Sequence, residues 1–204
     1  VAAEQLVELY GAAADRIELV PPGVDHAFFS PGDRAGARAA LGLDDSPTLL
    51  FVGRIQPLKG LTIAVSALAE LQDRRARLLV VGGPSGTDGP AELARVRQMI
   101  DDLDLRDRVA FVEPQEHHRL STYYRAADVV VVPSRSESFG LVALEAAACG
   151  VPVVAAAVGG LRTLVDDGVS GHLVDSRRPA DFARQVDQLL ADPDGAATMG
   201  RAAA

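Results

Sequence analysis

The sequence contains a single cysteine, Cys149, among its 204 residues. One cysteine excludes an internal disulfide framework, and its alanine-rich surroundings favour a buried structural thiol over a nucleophile. No run of 18 or more residues is apolar throughout, and no basic segment precedes an apolar core near the first residue. The sequence therefore predicts neither a membrane span nor a signal peptide, and we expect a cytoplasmic protein.

Positive charge is also scarce. The chain has 20 Lys and Arg against 28 Asp and Glu, a formal net charge of -8, whereas nucleic-acid binding needs a broad basic face. We therefore expect no nucleic-acid partner, although a local basic pocket is compatible with this charge. With 48% hydrophobic and 24% charged residues, the composition predicts a globular protein with one core, or at most one and a half domains.

Two common nucleotide-binding motifs are missing. The glycine-rich segment at residues 82–89 contains neither G-x-G-x-x-G nor G-K-[ST], which excludes the dinucleotide and P-loop interpretations. Apolar strands instead alternate with helix-compatible segments, and glycines mark the strand ends. This pattern predicts a doubly wound, parallel, Rossmann-like α/β sheet with its ligand groups on the carboxyl edge. The predicted strands include residues 16–20, 48–52, 77–82, 109–112, 129–132 and 151–157, and the predicted helices include residues 34–41, 91–103, 119–126, 141–148 and a last helix at 180–190.

The segment at residues 133–160 carries the strongest chemical signal, PSRSESFGLVALEAAACGVPVVAAAVGG. Glu137 precedes the predicted helix, and Glu145 lies about 6 Å inside it at 1.5 Å per residue, so both carboxylates can face one ligand. The N–H groups of Phe139, Gly140 and Leu141 are first-turn donors, which bind anions, and a glycine lets a phosphate or sugar hydroxyl approach closely. The alternative is a capped helix with two solvated glutamates.

A second signal is the loop GRIQPLKG at residues 53–60. Arg54 and Lys59 precede the N-terminus of a predicted helix, where the helix dipole is also positive. Arginine offers a planar fork of donors and lysine a mobile point charge, a combination that suits a diphosphate. The alternative is a solvated basic loop.

Together, E-x7-E, the small-residue helix, GVPVVA, the GG turn and the GR...KG spacing resemble the nucleotide-sugar site of retaining glycosyltransferases with the two-domain GT-B fold. The resemblance implies that Arg54 and Lys59 grip the diphosphate and stabilise it as the leaving group. It further implies that Glu145 binds the ribose, that Glu137 binds a sugar hydroxyl beside the developing oxocarbenium, and that Gln115 contacts the base. The implied catalytic residues are Arg54, Lys59 and Glu137; the implied donor-binding residues are Gly53, Arg54, Lys59, Gln115, Glu137, Ser138, Phe139, Gly140, Leu141 and Glu145.

Further motifs, VPPGVD, GGPSG, YRAAD and CGVPVVAAAVGGL, are similar to the actinobacterial branch of this family that acts on inositol phosphate. This implies transfer of N-acetylglucosamine from UDP-N-acetylglucosamine to 1D-myo-inositol 3-phosphate in mycothiol biosynthesis, by a homodimer and with no cofactor required for the chemistry. The branch also implies a structural Mg²⁺ held by main-chain oxygens of Tyr124, Arg125 and Ala127.

The resemblance covers only the donor-binding half of such an enzyme, and the first residue, Val1, reads as the middle of a helix. We therefore expect a fragment, in which residues 1–32 are the end of the N-terminal domain and the hinge, and residues 33–204 are the donor-binding domain. The acceptor site would belong to the missing N-terminal domain, so we expect little activity from this chain alone.

Three other interpretations stay open. The chain could belong to a mannosyltransferase that uses GDP-mannose, or act as a nucleotide-sugar-binding module that is inactive without its N-terminal half. An isomerase of the UDP-N-acetylglucosamine 2-epimerase kind fits less well, because it lacks the E-x7-E and GR...KG pairing.

His117 and His118 are adjacent and so lack a useful metal-ligand spacing, which favours exposed loop histidines.

Overall fold

A computed structural model of the chain describes residues 2–18, 20 and 22–204. Its six strands are β1 (Thr48–Val52), β2 (Arg77–Val81), β3 (Val109–Val112), β4 (Val129–Val132), β5 (Val153–Ala156) and β6 (Gly171–Val174). The α-helices are α1 (Ala2–Tyr10), α2 (Arg34–Ala40), α3 (Leu61–Glu70), α4 (Gly89–Asp102), α5 (Leu120–Ala126), α6 (Leu141–Ala148), α7 (Leu161–Leu164), α8 (Pro179–Ala191) and α9 (Pro193–Ala203). Short 3-10 turns occupy Ala14–Arg16, Pro57–Lys59, Arg106–Arg108 and His117–Arg119.

All six strands pair in parallel, in the order β3-β2-β1-β4-β5-β6. The chain therefore builds outwards from β1 through β2 to β3, and then returns to the other side of β1 with β4. Ligands of open parallel sheets bind outside the carboxyl ends of the strands where the order reverses. Here that point lies between β1 and β4, and it brings the loops at residues 53–60 and 133–140 side by side.

The four inner strands, β2, β1, β4 and β5, are apolar almost throughout because helices cover both faces of the sheet there. All four valines of β4 are buried, and successive residues of β1 point to opposite faces, so that Leu49 and Leu50 belong to different hydrophobic clusters. One cluster contains residues of α3, α4 and α8, and the other contains residues of α5 and α6. The predicted doubly wound parallel sheet is thereby confirmed.

Most of the predicted elements are confirmed, and the cap of α2 shows why. The carboxylate of Asp33 accepts a hydrogen bond from the N–H of Gly36 at 3.0 Å, as expected of an aspartate that precedes a helix. None of the helices in the described residues is both long and apolar enough to cross a membrane.

Two predicted elements are wrong. The described part of residues 16–20 contains no strand: Ala14–Arg16 is a 3-10 turn and Val20 is 77% exposed, because an apolar run without a neighbouring strand has nothing to pair with. Leu19 and Pro21, like the prediction that a helix runs through Val1, lie outside the described residues.

The helix at residues 180–190 is not the last one. Asp192 caps a further helix, α9, by accepting a hydrogen bond from the N–H of Gly195 at 3.0 Å. Pro193 occupies the first turn of that helix, where a missing N–H costs nothing. The Asp-Pro pair therefore ends one helix and begins the next.

Candidate functional site

The loop after β1 is fixed against the loop after β4 by backbone contacts. The N–H of Arg135 donates a hydrogen bond to the carbonyl oxygen of Leu58 at 2.8 Å. Gly60 has a left-handed backbone with φ of 72°, and a Cβ at this position would overlap the carbonyl group of Pro133. Only glycine combines that conformation with so close an approach. The two loops therefore hold a defined separation.

Arg177, from the loop after β6, reinforces the same arrangement. Its guanidinium donates hydrogen bonds to the carbonyl oxygens of Pro133 and Ser134, both at 2.9 Å. Desolvation and the nearby charge of Arg135 lower the pKa of Arg177, which nevertheless stays charged because an arginine pKa lies far above neutrality. A cation on the third loop thus stabilises the loop that leads from β4 to Glu137.

Lys59 and Glu137 meet at the centre of this arrangement. The ammonium nitrogen of Lys59 lies 2.7 Å from a carboxylate oxygen of Glu137, and the two side chains are 23% and 17% exposed. The Ser134 hydroxyl is 3.4 Å from the same carboxylate oxygen. An ammonium has three donors, so the bond to Glu137 leaves Lys59 with donors for a ligand. Lys59 is also the only lysine among the 20 basic side chains of the chain.

Arg54 lies on the same loop and is exposed. Within the described residues its guanidinium has no ion-pair or hydrogen-bond partner, so its donors face solvent. Gly53, just before it, lies at the end of β1, and a Cβ on Gly82 would overlap the backbone of Gly53. The carboxyl ends of β1 and β2 are therefore in direct backbone contact beneath Arg54.

Helix α6 begins four residues after Glu137, the partner of Lys59, and has no side-chain cap. In the part of the chain that the structure describes, the N–H groups of Phe139, Gly140 and Leu141 donate to no protein partner, as the sequence predicts for a helix that binds an anion. Phe139 and Leu141 are 55% and 46% exposed, and Ser138 is exposed as well. Gly140 has φ of 86°, and a Cβ there would lie 2.9 Å from a methyl group of Leu161. Packing against Leu161 therefore favours glycine at this position, independently of any close approach by a ligand.

The GG turn after β5 fixes the backbone of Glu137. The N–H of Gly160 donates a hydrogen bond to the carbonyl oxygen of Glu137 at 2.9 Å. Gly159 has φ of 47°, and a Cβ on it would overlap the same carbonyl group. Gly159 and Gly160 thus position the backbone of Glu137. The sequence predicts a turn at these glycines but not this contact.

Glu145 is held by a different set of groups. Its side chain is 9% exposed; one oxygen accepts a hydrogen bond from the hydroxyl of Tyr124 at 2.6 Å, and the other lies 2.8 Å from Nε2 of His117. Burial, and then the charge of Glu145, raise the pKa of Tyr124 well above its usual range, so the phenol remains a donor. Neither Glu137 nor Glu145 is therefore a freely solvated side chain.

The loop after β3 contributes two predicted features. His117 and His118 are 65% and 51% exposed, which confirms exposed loop histidines, but the contact of His117 with Glu145 is absent from the sequence prediction. The ring of Phe29 lies 4.8 Å from that of His117. Gln115 donates a hydrogen bond to the carbonyl oxygen of Glu113 at 2.9 Å and, within the described residues, forms no side-chain hydrogen bond to another predicted site residue.

The predicted magnesium ligands lie at the C-terminal end of α5, where helix carbonyl groups carry partial negative charge. The carbonyl oxygen of Tyr124 accepts the N–H of Ala127 at 3.0 Å and keeps one lone pair. The side chain of Arg125 points away, to the carbonyl oxygen of Ser30 at 2.8 Å. Oxygen ligands of this kind suit a hard cation, so the three main-chain oxygens are compatible with a structural Mg²⁺, which stays a prediction.

Cys149 lies at the end of α6 and is 4% exposed. Burial raises its pKa to about 11, so the thiol is neutral near pH 7 and a poor nucleophile. The predicted burial of this cysteine is confirmed.

The six-stranded parallel sheet, flanked by helices on both faces and with its polar groups on the carboxyl edge, is the Rossmann-like domain of a GT-B glycosyltransferase. The chain belongs to the family described as "Glycosyl transferases group 1", which matches residues 33–204. This confirms the family that the motifs predicted.

The chain is 56% identical over 202 residues to the D-inositol 3-phosphate glycosyltransferase of Mycobacterium sp. (strain KMS), an alignment that covers 98% of this chain and 45% of that protein. The structure is similar to sucrose-phosphate synthase from Thermosynechococcus elongatus, with 40% identity, a TM-score of 0.88 and coverage of 98% and 50%. It is also similar to Anabaena HepE in complex with UDP-glucose, with 28% identity, a TM-score of 0.86 and coverage of 96% and 53%. The chain thus spans about half the length of these relatives.

Proposed function

We propose that this chain is the donor-binding half of a retaining glycosyltransferase that transfers N-acetylglucosamine from UDP-N-acetylglucosamine to 1D-myo-inositol 3-phosphate, the reaction implied for mycothiol biosynthesis. The donor class is supported by the likeness to a protein whose structure contains UDP-glucose. The acceptor is supported by 56% identity to a D-inositol 3-phosphate glycosyltransferase. The acceptor site would lie in an N-terminal domain, with residues 1–32 as the end of that domain and hinge, and residues 33–204 as the donor domain.

The observation that carries the donor proposal is the 2.7 Å contact between Lys59 and Glu137. A cation that binds phosphate and a carboxylate that binds a sugar hydroxyl are in direct contact, so their two ligands must also be neighbours. A sugar and a phosphate are neighbours at a glycosyl phosphate bond. The pair therefore suits the bond that a nucleotide-sugar transferase breaks.

The roles of the groups follow from their charges. As the glycosyl bond breaks, negative charge grows on the diphosphate, and Arg54, Lys59 and the free N–H groups at the start of α6 stabilise it without having to reorganise. Glu137 accepts a hydrogen bond from a sugar hydroxyl and lies beside the positive charge that develops on the ring. No metal is required for this leaving-group stabilisation, and the Mg²⁺ predicted at Tyr124 has a structural role in the proposal.

The nucleoside part of the donor lies beyond the diphosphate in this proposal. Glu145 accepts hydrogen bonds from the ribose hydroxyls, and Gln115 contacts the base.

The full-length protein acts in the cytoplasm as a homodimer. The chain alone binds the donor weakly and turns it over little, because the acceptor domain is missing.

The test is calorimetric titration of this chain with UDP-N-acetylglucosamine, GDP-mannose and NAD. We expect the UDP-sugar alone to bind. Glu145→Ala and Lys59→Ala should each weaken binding about ten- to a hundredfold, since each removes hydrogen bonds that involve a charge. Glu116→Ala is the matched control, because Glu116 is a carboxylate on the neighbouring loop and is 70% exposed. Tighter binding of GDP-mannose would favour the mannosyltransferase alternative, and unchanged binding in both site variants would refute the site.

Lys59 allows an independent measurement, because it carries the only side-chain amine in the chain. An amine-reactive reagent modifies Lys59 and the N-terminus, and peptide mass spectrometry separates the two. We expect UDP to slow modification of Lys59 without affecting the N-terminus, which serves as the internal control.

A further inference from the structure

Each oxygen of Glu145 lies within hydrogen-bond distance of one protein side chain. The Tyr124 hydroxyl donates to one oxygen at 2.6 Å, and Nε2 of His117 lies 2.8 Å from the other. The side chain of Glu145 is 9% exposed, so little of the carboxylate can be reached from solvent. Each carboxylate oxygen keeps a second lone pair beside these partners, but at this burial a ribose hydroxyl reaches Glu145, as in the proposed function, only if one of the two partners moves aside.

The two partners differ in how easily they can leave. Tyr124 is completely buried, and its ring packs near Phe29 in the core, with centroids 6.0 Å apart. Moving it would open the hydrophobic cluster on that face of the sheet. His117 is 65% exposed and lies on a 3-10 turn before α5. An exposed side chain changes rotamer on a picosecond to nanosecond timescale, so His117 is the partner that can yield.

We propose that His117 covers the ribose-binding oxygen of Glu145 and is displaced by the ribose hydroxyls when the donor binds. This inference rests on the proposed function of Glu145. Tyr124 keeps its bond throughout and holds the carboxylate in place while its other oxygen exchanges one donor for another. The ring of Phe29 packs against that of His117 with centroids 4.8 Å apart and a tilt of 50°, which supports the imidazole in the covered position.

The exchange has a consequence for specificity. A ribose hydroxyl replaces the hydrogen bond that Glu145 loses when His117 leaves, so the oxygen that faced His117 is never without a donor. A ligand that lacks the hydroxyls cannot make this replacement, and an unpaired buried acceptor is costly. Such a ligand leaves His117 in place. The imidazole therefore makes the site selective for ribose over sugars that lack these hydroxyls, while lowering affinity for the correct donor.

The experiment measures the dissociation constants of UDP and of 2′,3′-dideoxyuridine diphosphate for the wild type, His117→Ala and His118→Ala. His118 is the matched control, because it is the adjacent exposed histidine and its nearest charged partner is Glu116, at 3.7 Å. His117→Ala should bind UDP about three- to tenfold more tightly, since one hydrogen bond no longer has to be broken. Its affinity for the dideoxy analogue, and both affinities of His118→Ala, should be unchanged.

A second measurement follows the imidazole directly. The chain has four histidines, so their ring signals in a nitrogen-correlated NMR spectrum can be identified by substitution. UDP should shift the His117 signal to that of a solvated ring, and the dideoxy analogue should not.

The outcomes separate the two proposals. If UDP binds, and Glu145→Ala weakens it, but His117→Ala binds UDP no more tightly than the wild type, the donor site stands and the displacement of His117 is wrong. If His117→Ala tightens UDP and the dideoxy analogue equally, His117 obstructs the site sterically and the exchange at Glu145 is wrong. If UDP does not bind the wild type, the proposed donor function fails and this inference fails with it.

Discussion

Substitution of Gly60 by alanine should damage both stability and donor binding. Gly60 begins α3 with φ of 72°, and a Cβ there would overlap the carbonyl group of Pro133. That overlap is with backbone, so it cannot be relieved by a side-chain rotation. The β1 and β4 loops would have to separate, which would pull Lys59 away from Glu137.

The magnitude has two parts, and a second glycine isolates one of them. A left-handed conformation costs an alanine about 1–2 kcal/mol, and forcing extra volume into a packed site costs about 1–3 kcal/mol more. Gly42 has a similar φ of 66°, but nothing lies within 4 Å of its Cβ position. Gly42→Ala should therefore lose only the first part, and Gly60→Ala should lose both.

Urea denaturation measures the difference, because the effect of alanine on the unfolded chain is the same in both variants and cancels. With a slope of about 2 kcal/mol per molar urea, the midpoint of Gly60→Ala should lie about 0.5–1.5 M below that of Gly42→Ala. UDP binding should weaken in Gly60→Ala and stay unchanged in Gly42→Ala. Equal midpoints for the two variants would show that the two loops do not meet as described.

Two further predictions concern Arg177 and Cys149. Arg177→Ala removes two hydrogen bonds to the carbonyl groups after β4 and should lower the free energy of unfolding by about 1–2 kcal/mol. The neighbouring arginine gives the control, Arg178→Ala. Equal urea midpoints for the two variants would contradict the stabilising role of Arg177. The pKa of Cys149 rises on folding from 9.0 to about 11, so the unfolded thiol ionises first and stability falls between pH 9 and 11. Ionisation of this thiol should lower the free energy of unfolding by about 1.4 kcal/mol at pH 10 relative to pH 7. Cys149→Ala should lose less stability over the same range. Identical pH profiles of the free energy of unfolding for the wild type and Cys149→Ala would refute the buried neutral thiol.

The fold was largely predictable because its signals are local. Apolar runs of four or five residues mark β1 to β5, glycine directly follows β1 and β2, and Asp33 marks the start of α2 through its own side chain. Residues 16–20 show the limit of such signals. Their apolar run is typical of a strand, but a strand also needs a neighbour, and that depends on parts of the fold far away in the sequence.

The candidate site divides in the same way. Arg54, Lys59 and Glu137 could be proposed from their residue types and spacing, since charge and helix position are properties of the sequence. The partners of Glu145 could not, because Tyr124 and His117 reach it from another helix and another loop. The composition carries one more signal for this site. Only one of the 20 basic residues is a lysine, and it lies at the position where a mobile cation suits a phosphate.

The site combines a fixed part with a part that can move. The carbonyl groups of Pro133 and Glu137 pack against glycines of other loops, so the groups proposed to bind sugar phosphate keep their positions before a ligand arrives. Such preorganisation lowers the cost of stabilising charge in a transition state. His117 is exposed and contacts Glu145 from outside, so the nucleoside end is where an exchange can take place. In the proposed function, the fixed end therefore stabilises the transition state, and the exchange at Glu145 selects which donor binds.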